Sequence, residues 1–396
     1  MHAKVKHAKL EYGRGALKGG SSLWIEIIEH CVAKHKFRDK GGAQMKYYTS
    51  TTEFNCGIDL HSREMYICLV DHEGQKLVHT NIKGNDFGYF LKKVAPYRHS
   101  LTVCCECTFN WYWLADACEE AGMTFVLAHA LYMKAIHGGK NKNDRIDSEK
   151  IAHLLRSNLV PPSYVYPAAK RPIRGLLRQR TSYVWKRAAL LTHVAMNQLA
   201  EGMEPVKHTP VDRGPWEERL MTAYRDNPLH QASAHADLHM IKAYDEMIDK
   251  LETQLLKITK RDSWKEFAII QSVPGIGNIL GLTILYELDT TERFPSVKDF
   301  SSYCRLVKGS VASAGKIKGT RGAKLGNPYL RWAFGEAAVL AKRSHSMIRS
   351  YAQQLENKHG KFKGNAILAN KFARAVYYML KNGTAFDLEK MTTTSL

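Results

Sequence analysis

The chain has 396 residues, of which 44% are apolar and 24% charged, a composition typical of a globular protein with two or three domains. Its 58 lysines and arginines outnumber the 38 aspartates and glutamates, so the net charge is +20. No N-terminal segment has the apolar core of a secretory signal, and the eight cysteines lack the spacing of a disulfide framework. These features argue against a secreted, disulfide-stabilised protein and predict a cytoplasmic one.

The positive charge is unevenly distributed along the chain. Residues 45–162 carry 13 basic and 13 acidic side chains, whereas residues 163–396 carry an excess of 15 positive charges. A neutral part joined to a basic part predicts a polyanionic partner, with nucleic acid favoured over an anionic membrane surface. The longest uncharged run, 267–286, contains a proline and three glycines, which indicates buried helices around a turn and no membrane partner.

Residues 1–53 are predicted to be a basic N-terminal extension, either a flexible arm or a segment outside the folded protein. Regular patterning then indicates a first domain over residues 54–162. Its predicted elements are strands at 54–60, 65–70 and 75–82, a helix from an Asn85 cap to about 94, a strand at 101–107, a helix at 111–121, a strand at 124–128 and a helix at about 143–157. Three antiparallel strands followed by alternating helices and strands are typical of the RNase H-like α/β fold, a mixed sheet with helices on both faces.

A helical, coiled-coil region is predicted over residues 163–262. A basic helix occupies residues 165–200, and residues 201–234 contain four prolines and are interpreted as a connector. Ile241, Ile248 and Leu255 lie on the apolar seam of a second helix with heptad spacing. The two helices could pair with each other or with another subunit, and the alternative is a single amphipathic helix on a globular core.

Residues 263–390 are predicted to form a mainly α-helical third domain, followed by a short tail at 391–396. The sequence Ser-Val-Pro-Gly-Ile-Gly from residue 272 indicates a turn of the helix-hairpin-helix type. In such a turn the amides of Gly275 and Gly277 can contact a DNA phosphate, although a purely structural turn has the same pattern.

A loop rich in glycine, serine and lysine is predicted between residues 308 and 326. Small residues would let a phosphate approach, and nearby cations would offset its charge. The cations are Lys308, Lys316, Lys318 and Arg321. From this chemistry alone, a phosphate-binding loop with structural serines is favoured over a loop that carries a serine nucleophile.

Four acidic residues fall at positions that the predicted RNase H-like sheet would bring together. Asp59 lies at the end of the first strand, and Glu106 is the only charged residue in a long apolar stretch around the fourth. Asp144 and Asp147 lie three residues apart at a helix start, so they share one face. A carboxylate cluster of this kind suits Mg²⁺, and two such ions can stabilise the attacking and leaving oxygens of a phosphoryl transfer.

These residues, taken with their neighbours, resemble the DEDD transposases of bacterial insertion sequences, the insertion sequence 110 family of bridge-RNA-guided recombinases. The resemblance covers roughly residues 54–388. The motifs that support it are Gly57-Ile58-Asp59, Glu106-Cys107-Thr108, Lys142-Asn143-Asp144-Arg145-Ile146-Asp147, Pro274-Gly275-Ile276-Gly277 and Lys324-Leu325-Gly326-Asn327-Pro328-Tyr329-Leu330-Arg331.

The resemblance implies a RuvC-like domain that binds Mg²⁺, as two ions with Mn²⁺ as a substitute, through the four acids. It also implies an essential serine that attacks DNA, best matched by Ser313 with Ser310 as the fallback. The implied partners are double-stranded DNA (element ends and target), a structured noncoding guide RNA and further copies of the chain in a dimer or tetramer that builds a composite site. The implied location is the bacterial nucleoid.

Nucleic-acid contacts are expected from the basic helix, the turn and the loop with the segment that follows it. The candidate residues are Arg174, Arg178, Gly275, Gly277, Lys308, Lys316, Lys318, Arg321, Lys324 and Arg331. Two alternatives to a recombinase remain open. One is a RuvC-like metal-dependent junction nuclease that uses water as its nucleophile, and the other is a non-catalytic nucleic-acid-binding relative.

Overall fold

The computed structural model describes residues 47–136, 143–206, 213–313, 316–321 and 325–393. Residues 1–46 of the predicted N-terminal extension lie outside the described residues. Lys324, a predicted nucleic-acid contact, also lies outside them. The strands are β1 Phe54–Leu60, β2 Glu64–Val70, β3 Lys76–Lys83, β4 Leu101–Glu106, β5 Thr124–Ala128, β6 Gly309–Ser313 and β7 Lys316–Arg321. The helices are α1 Phe87–Val94, α2 Tyr112–Glu120, α3 Ala130–Ile136, α4 Asp144–Arg156, α5 Arg171–Ala200, α6 Arg213–Ala223, α7 Pro228–Asp262, α8 Trp264–Gln271, α9 Asn278–Leu288, α10 Val297–Tyr303, α11 Pro328–Ser344, α12 Ser346–His359, α13 Lys361–Asn382 and α14 Leu388–Thr393.

The first five strands form one mixed sheet in the order β3-β2-β1-β4-β5. β1, β2 and β3 pair antiparallel, whereas β4 pairs parallel with both β1 and β5. The helices between the parallel strands are the crossovers that such pairing requires. The predicted RNase H-like mixed sheet, followed by a mainly helical remainder, is therefore confirmed.

Both faces of this sheet are covered by helices, which explains why its central strands are apolar on both sides. On one face, Ile58 of β1 and Cys105 of β4 share a core cluster with Phe90 of α1 and Leu114 of α2. On the other face, Cys104 of β4 packs in a cluster that includes Ile151, Leu154 and Leu155 of α4. Because side chains alternate along a strand, each residue of β1 and β4 can be assigned to one of these two faces.

Gly57 lets α4 lie directly against β1. A Cβ atom at this position would come within 2.3 Å of the Ser148 carbonyl oxygen and the Ala152 amide nitrogen. Both are backbone atoms of α4, and they cannot move aside without displacing the helix. The glycine therefore sets the distance between α4 and the sheet.

Replacing Gly57 with alanine is expected to lower the free energy of unfolding by at least about 2 kcal/mol, because the added methyl group must push α4 off the sheet. Urea denaturation followed by circular dichroism measures the change. Gly175→Ala is the matched control: this glycine lies within α5, nothing lies within 4 Å of the site of its Cβ, and the variant is expected to gain up to about 1 kcal/mol. Equal stability of the two variants would contradict the close approach of α4.

Helices α5 and α7 pair with each other in an antiparallel hairpin. Arg180 near the start of α5 forms an ion pair with Glu252 at 2.6 Å, and His193 further along α5 contacts Asp237 of α7 at 2.7 Å. The first of the predicted coiled-coil arrangements, pairing within one chain, is confirmed.

The region interpreted as a connector is partly helical. Residues 213–223 form α6, and α7 already begins at Pro228. Trp216 and Leu220 of α6 are buried with Val194 and Leu238 of the hairpin in a small apolar cluster. The connector interpretation was wrong here because Pro215 and Pro228 lie in the first turns of helices, where a missing backbone N–H costs nothing.

The C-terminal helices enclose a second large core. Its centre contains Phe267, Phe300, Phe334 and Phe372, all fully buried. Leu177 of α5 and Leu255 of α7 belong to the same cluster, so the base of the helical hairpin packs into this core. Among the described residues, no helix is both long enough and apolar enough to cross a bilayer. The division into domains at residues 162 and 262 stays a prediction.

Two local predictions were wrong. The segment predicted as a loop after Lys308 contains the antiparallel hairpin β6–β7, in which Gly309 pairs with Arg321 and Ser313 with Lys316. The N-cap of α1 is Asp86, whose side chain accepts a hydrogen bond from the Tyr89 amide, and not Asn85. Asn85 has a φ of +52° and instead donates from its side chain to the backbone carbonyls of His61 and Ser62.

Candidate metal centre and nucleic-acid interface

Asp59 and Glu106 lie at the same edge of the sheet, at the carboxyl ends of two neighbouring parallel strands. The register pairs Gly57 with Cys104 and Ile58 with Cys105, so the next position places Asp59 beside Glu106. Since Ile58 and Cys105 face α1 and α2, strand alternation directs Asp59 and Glu106 to the opposite face, where α4 packs.

The first turn of α4 brings two more acids to this edge. Asn143 caps the helix by accepting a hydrogen bond from the Arg145 amide at 2.9 Å, and Asp144 and Asp147 follow in the first turn. The close contact of α4 with Gly57 leaves this turn next to the end of β1. Asp147 also accepts a hydrogen bond at 3.0 Å from Lys150, one turn further along the helix.

The surroundings of Asp59 include burial and the negative charge of two of the other acids. Its side chain is only 19% exposed. The pKa of Asp59 is raised, chiefly because burial desolvates the carboxylate, and further because Asp144 and Asp147 add negative charge; the His61 ring opposes this rise. Concentrated negative charge of this kind is unfavourable without a cation, so the site fits a positively charged ligand.

His61 completes the group, and it was not among the site residues predicted from the sequence. Its Nε2 atom lies 3.3 Å from Oδ2 of Asp59 and 3.4 Å from Oδ1 of Asp144. One ligand atom from each of these three residues lies within 4.8 Å of the others. The one signal in the sequence was the position of His61 two residues after Asp59, which puts both side chains on the same face of an extended chain.

The donor set suits a divalent metal ion. Asp59 and Asp144 supply carboxylate oxygens, which hard cations prefer, and His61 adds an imidazole nitrogen. Glu106 and Asp147 lie at the neighbouring strand end and in the same helix turn, where they could extend the site. The structure thus brings Asp59, Asp144 and Asp147 together and places Glu106 alongside them by register.

The turn between α8 and α9 has two glycines with different surroundings. A Cβ on Gly275, whose φ is +86°, would lie 2.5 Å from the backbone of Ala337 and Ala341, so this glycine is required for packing against α11. Gly277 is the N-cap of α9, and there is open space where its Cβ would be. The exposed Arg343 lines the cleft beside the turn, so an anion could meet both the Gly277 end of α9 and a cation.

Arg174 and Arg178 lie in an ion-pair network within the protein. Both guanidinium groups donate to the carboxylate of Glu287, Arg174 at 2.9 Å and Arg178 at 2.7 Å. The side chain of Glu287 is 1% exposed, so its charge depends on these partners. A nucleic-acid contact by either arginine would have to compete with this buried ion pair.

The β6–β7 hairpin presents Ser313 to solvent, with Lys316 and Lys318 exposed on the following strand and Lys308 exposed before it. The side chains of Ser310 and Arg321 lie outside the described part of the structure. After the hairpin, Arg331 is exposed in the first turns of α11. The pKa of Arg305 is lowered, first by its partial burial and second by the nearby positive charge of Arg331.

A mixed sheet of RNase H-like order with acids at neighbouring strand ends and on the adjoining helix, followed by a helical C-terminal part, is the arrangement of a DEDD-type transposase. Comparison with protein families supports this class twice. The DEDD transposase model of the IS110 family matches residues 56–200, and the model described as the transposase IS116/IS110/IS902 family matches residues 267–353. The chain belongs to the IS110 family of DEDD transposases.

One curated relative extends the similarity over nearly the whole length. The transposase for insertion sequence element IS1328 of Yersinia enterocolitica is 23% identical over 342 residues, which cover 84% of this chain and 98% of the relative. The protein is therefore a transposase, as the motifs predicted. Its family implies DNA binding and the use of a divalent metal ion.

Proposed function

We propose that this transposase cuts and rejoins DNA by Mg²⁺-dependent phosphoryl transfer, with Ser313 as a nucleophile that becomes transiently linked to the DNA. The observation that carries the proposal is the convergence of Asp59 of β1 with Asp144 and Asp147 of α4, from a distant part of the chain, at one edge of the sheet. Repulsion between clustered carboxylates does not stabilise a fold, whereas metal-assisted chemistry on phosphate requires clustered carboxylates to hold the metal ions.

In this proposal Asp59, Glu106, Asp144 and Asp147 hold Mg²⁺, as two ions for which Mn²⁺ can substitute. Bound there, the metal supplies the charge that stabilises a phosphate whose oxygens gain negative charge during transfer. Asp59, whose side chain is largely buried, anchors the site, while Asp144, with a side chain 49% exposed, faces the solvent from which DNA approaches. Lys150 holds Asp147 in place through its hydrogen bond.

Ser313 supplies the attacking oxygen. Its Oγ loses its proton to solvent and forms a bond to phosphorus as the bond from phosphorus to one deoxyribose oxygen breaks, and that sugar oxygen takes up a proton from solvent. The position of Ser313 on an exposed hairpin gives access to a DNA strand, and Lys308, Lys316 and Lys318 supply positive charge for the phosphate. An exposed hairpin can also reach the acids of another copy, so we propose that a dimer or tetramer builds the composite site.

The basic C-terminal part supplies the nucleic-acid interface. The amide end of α9 at Gly277 and the side chains of Arg343 and Arg331 lie on exposed surface, where they can contact backbone phosphates of the element ends and the target. Phosphate contacts position a duplex but do not read its sequence. We therefore propose that a structured noncoding guide RNA selects the DNA sequences of the element ends and the target. This RNA should co-purify with the protein.

The Ser313→Ala variant tests the proposal. Incubating the wild-type protein with DNA that carries an element end, and then denaturing it, should trap a covalent protein–DNA adduct that Ser313→Ala does not form. Ser310→Ala is the matched control and should keep the adduct, because Ser310 lies three residues before Ser313 on the same strand, β6. Loss of the adduct in Ser310→Ala alone would assign the nucleophile to Ser310. Cleavage with free ends by Ser313→Ala would instead support a water-using junction nuclease.

A further inference from the structure

We propose that His61 is a nitrogen ligand of the metal centre and makes the centre bind Mn²⁺ more tightly than Mg²⁺. This inference rests on the metal centre of the proposed function, to which it adds one ligand and a metal preference. It starts from the position of the ring: Nε2 of His61 lies 3.3 Å from Oδ2 of Asp59 and 3.4 Å from Oδ1 of Asp144.

The spacing of these three atoms matches the needs of an octahedral ion. Neighbouring ligands of an ion with bonds of 2.0–2.2 Å lie about 3 Å apart. The two distances from His61 are close to that value, and all three atoms lie within 4.8 Å of one another. Only a small adjustment of the side chains would therefore place the nitrogen and both oxygens around one ion.

The backbone of His61 is held by three other segments. Its carbonyl oxygen accepts hydrogen bonds from the side-chain amides of Asn85 at 3.1 Å and Asn110 at 2.9 Å. Its amide donates to the Glu64 carbonyl at 2.9 Å. Asn85 and Asn110 come from the segments before α1 and before α2, so residues distant in sequence converge on one peptide. This anchoring restricts where the half-exposed imidazole can reach, as a metal ligand requires.

The chemistry of imidazole supplies the metal preference. Mg²⁺ prefers oxygen ligands and retains its water, whereas imidazole nitrogen is a good ligand for first-row transition metals. A centre made only of Asp59, Asp144 and their acidic neighbours would bind Mg²⁺ and Mn²⁺ with more similar affinities. With His61 as an additional ligand, the affinity for Mn²⁺ rises while that for Mg²⁺ changes little.

The test uses the full-length protein and Mn²⁺ alone as the probe. Electron paramagnetic resonance gives the affinity from the free Mn²⁺ signal, and pulsed measurements detect the coupling of bound Mn²⁺ to a directly ligated ¹⁴N. The wild-type protein should show this coupling. His61→Ala should lose it and bind Mn²⁺ about tenfold more weakly, while Mg²⁺ affinity measured by competition changes by less than about threefold. His61→Asn, which offers an oxygen, should also lose the ¹⁴N coupling.

His72→Ala is the matched control, because this exposed histidine lies in the turn between β2 and β3, beside the C-terminal end of α4; it should behave like the wild type. Mn²⁺ that binds without ¹⁴N coupling, yet is lost in Asp59→Asn, would overturn the role of His61 and leave the acidic metal centre intact. Mn²⁺ that does not bind, or binds equally to Asp59→Asn, would instead remove the metal centre itself.

Discussion

Replacing Asp59 with asparagine is expected to abolish DNA strand cleavage, with the rate falling on the order of 10³-fold or more. The carboxylate would be lost from the point where β1 ends and α4 begins, where Asp144 and His61 also converge. A metal ion contributes several kcal/mol of transition-state stabilisation, and each 1.4 kcal/mol corresponds to about a tenfold change in rate. The measurement is cleavage of a DNA that carries an element end, in Mg²⁺, at equal protein concentration.

The loss should not come from unfolding. Because burial and the neighbouring acids raise the pKa of Asp59, its ionised form costs stability at neutral pH, a cost that disappears as pH falls and the group is protonated. Asp59→Asn removes that charge, so the metal-free variant should resist urea at least as well as the wild type. Glu73→Gln, an exposed acid beside the far end of α4, is the control and should cleave normally. Full activity of Asp59→Asn would favour the non-catalytic alternative.

The sheet and its acids could be predicted because their signals are local. Alternating apolar residues define the strands, and a lone charge such as Glu106 in an apolar strand marks a site. The turn at Asp71 to Gly74 and the helix start at Asn143 carry their own capping residues. Given the order of elements, few topologies are available, and the RNase H-like order places the four acids at one edge.

Contacts between distant segments could not be predicted in this way. The position of His61 two residues after Asp59 does not by itself distinguish a metal ligand from a turn residue, because its contact with Asp144 depends on a distant helix. The basic helix that contains Arg174 and Arg178 was predicted to contact nucleic acid. Both arginines are instead paired with Glu287, which lies more than 100 residues away in sequence within an apolar segment, so the pairing could not be seen from the helix alone. Charge patterns along one helix do not show which cations are already neutralised within the fold.

Glu287 is the second residue whose removal should have a large effect, in this case on stability. It is fully buried in α9 and accepts hydrogen bonds from Arg174, Arg178 and, at 2.7 Å, the side-chain amide of Asn327. Burial alone would raise its pKa, but the bonds and charges of the two arginines outweigh burial and lower it. The ionised carboxylate thus connects the base of the α5–α7 hairpin to the start of α11.

Glu287→Ala is expected to lower the free energy of unfolding by about 3–5 kcal/mol, because Arg174 and Arg178 would be left without their buried counter-charge. Urea denaturation measures this. The control is Asp226→Asn, which breaks the ion pair between Asp226 and Arg225. Because the Asp226 side chain is 92% exposed, this substitution should lower the free energy of unfolding by less than about 1 kcal/mol. Since the folded pKa of Glu287 is lowered, the wild-type advantage should be complete at neutral pH and shrink as pH falls through that pKa.

The same substitution should also loosen the start of α11. Asn327 caps this helix by accepting hydrogen bonds from the amides of Tyr329 and Leu330, and its own amide is held by Glu287. Without the carboxylate, the cap loses the partner that orients it, so the amides of Tyr329 and Leu330 should exchange with deuterium faster than in the wild type. Unchanged exchange at these amides, together with a stability loss below about 1 kcal/mol, would show that the Glu287 network does not hold the start of α11.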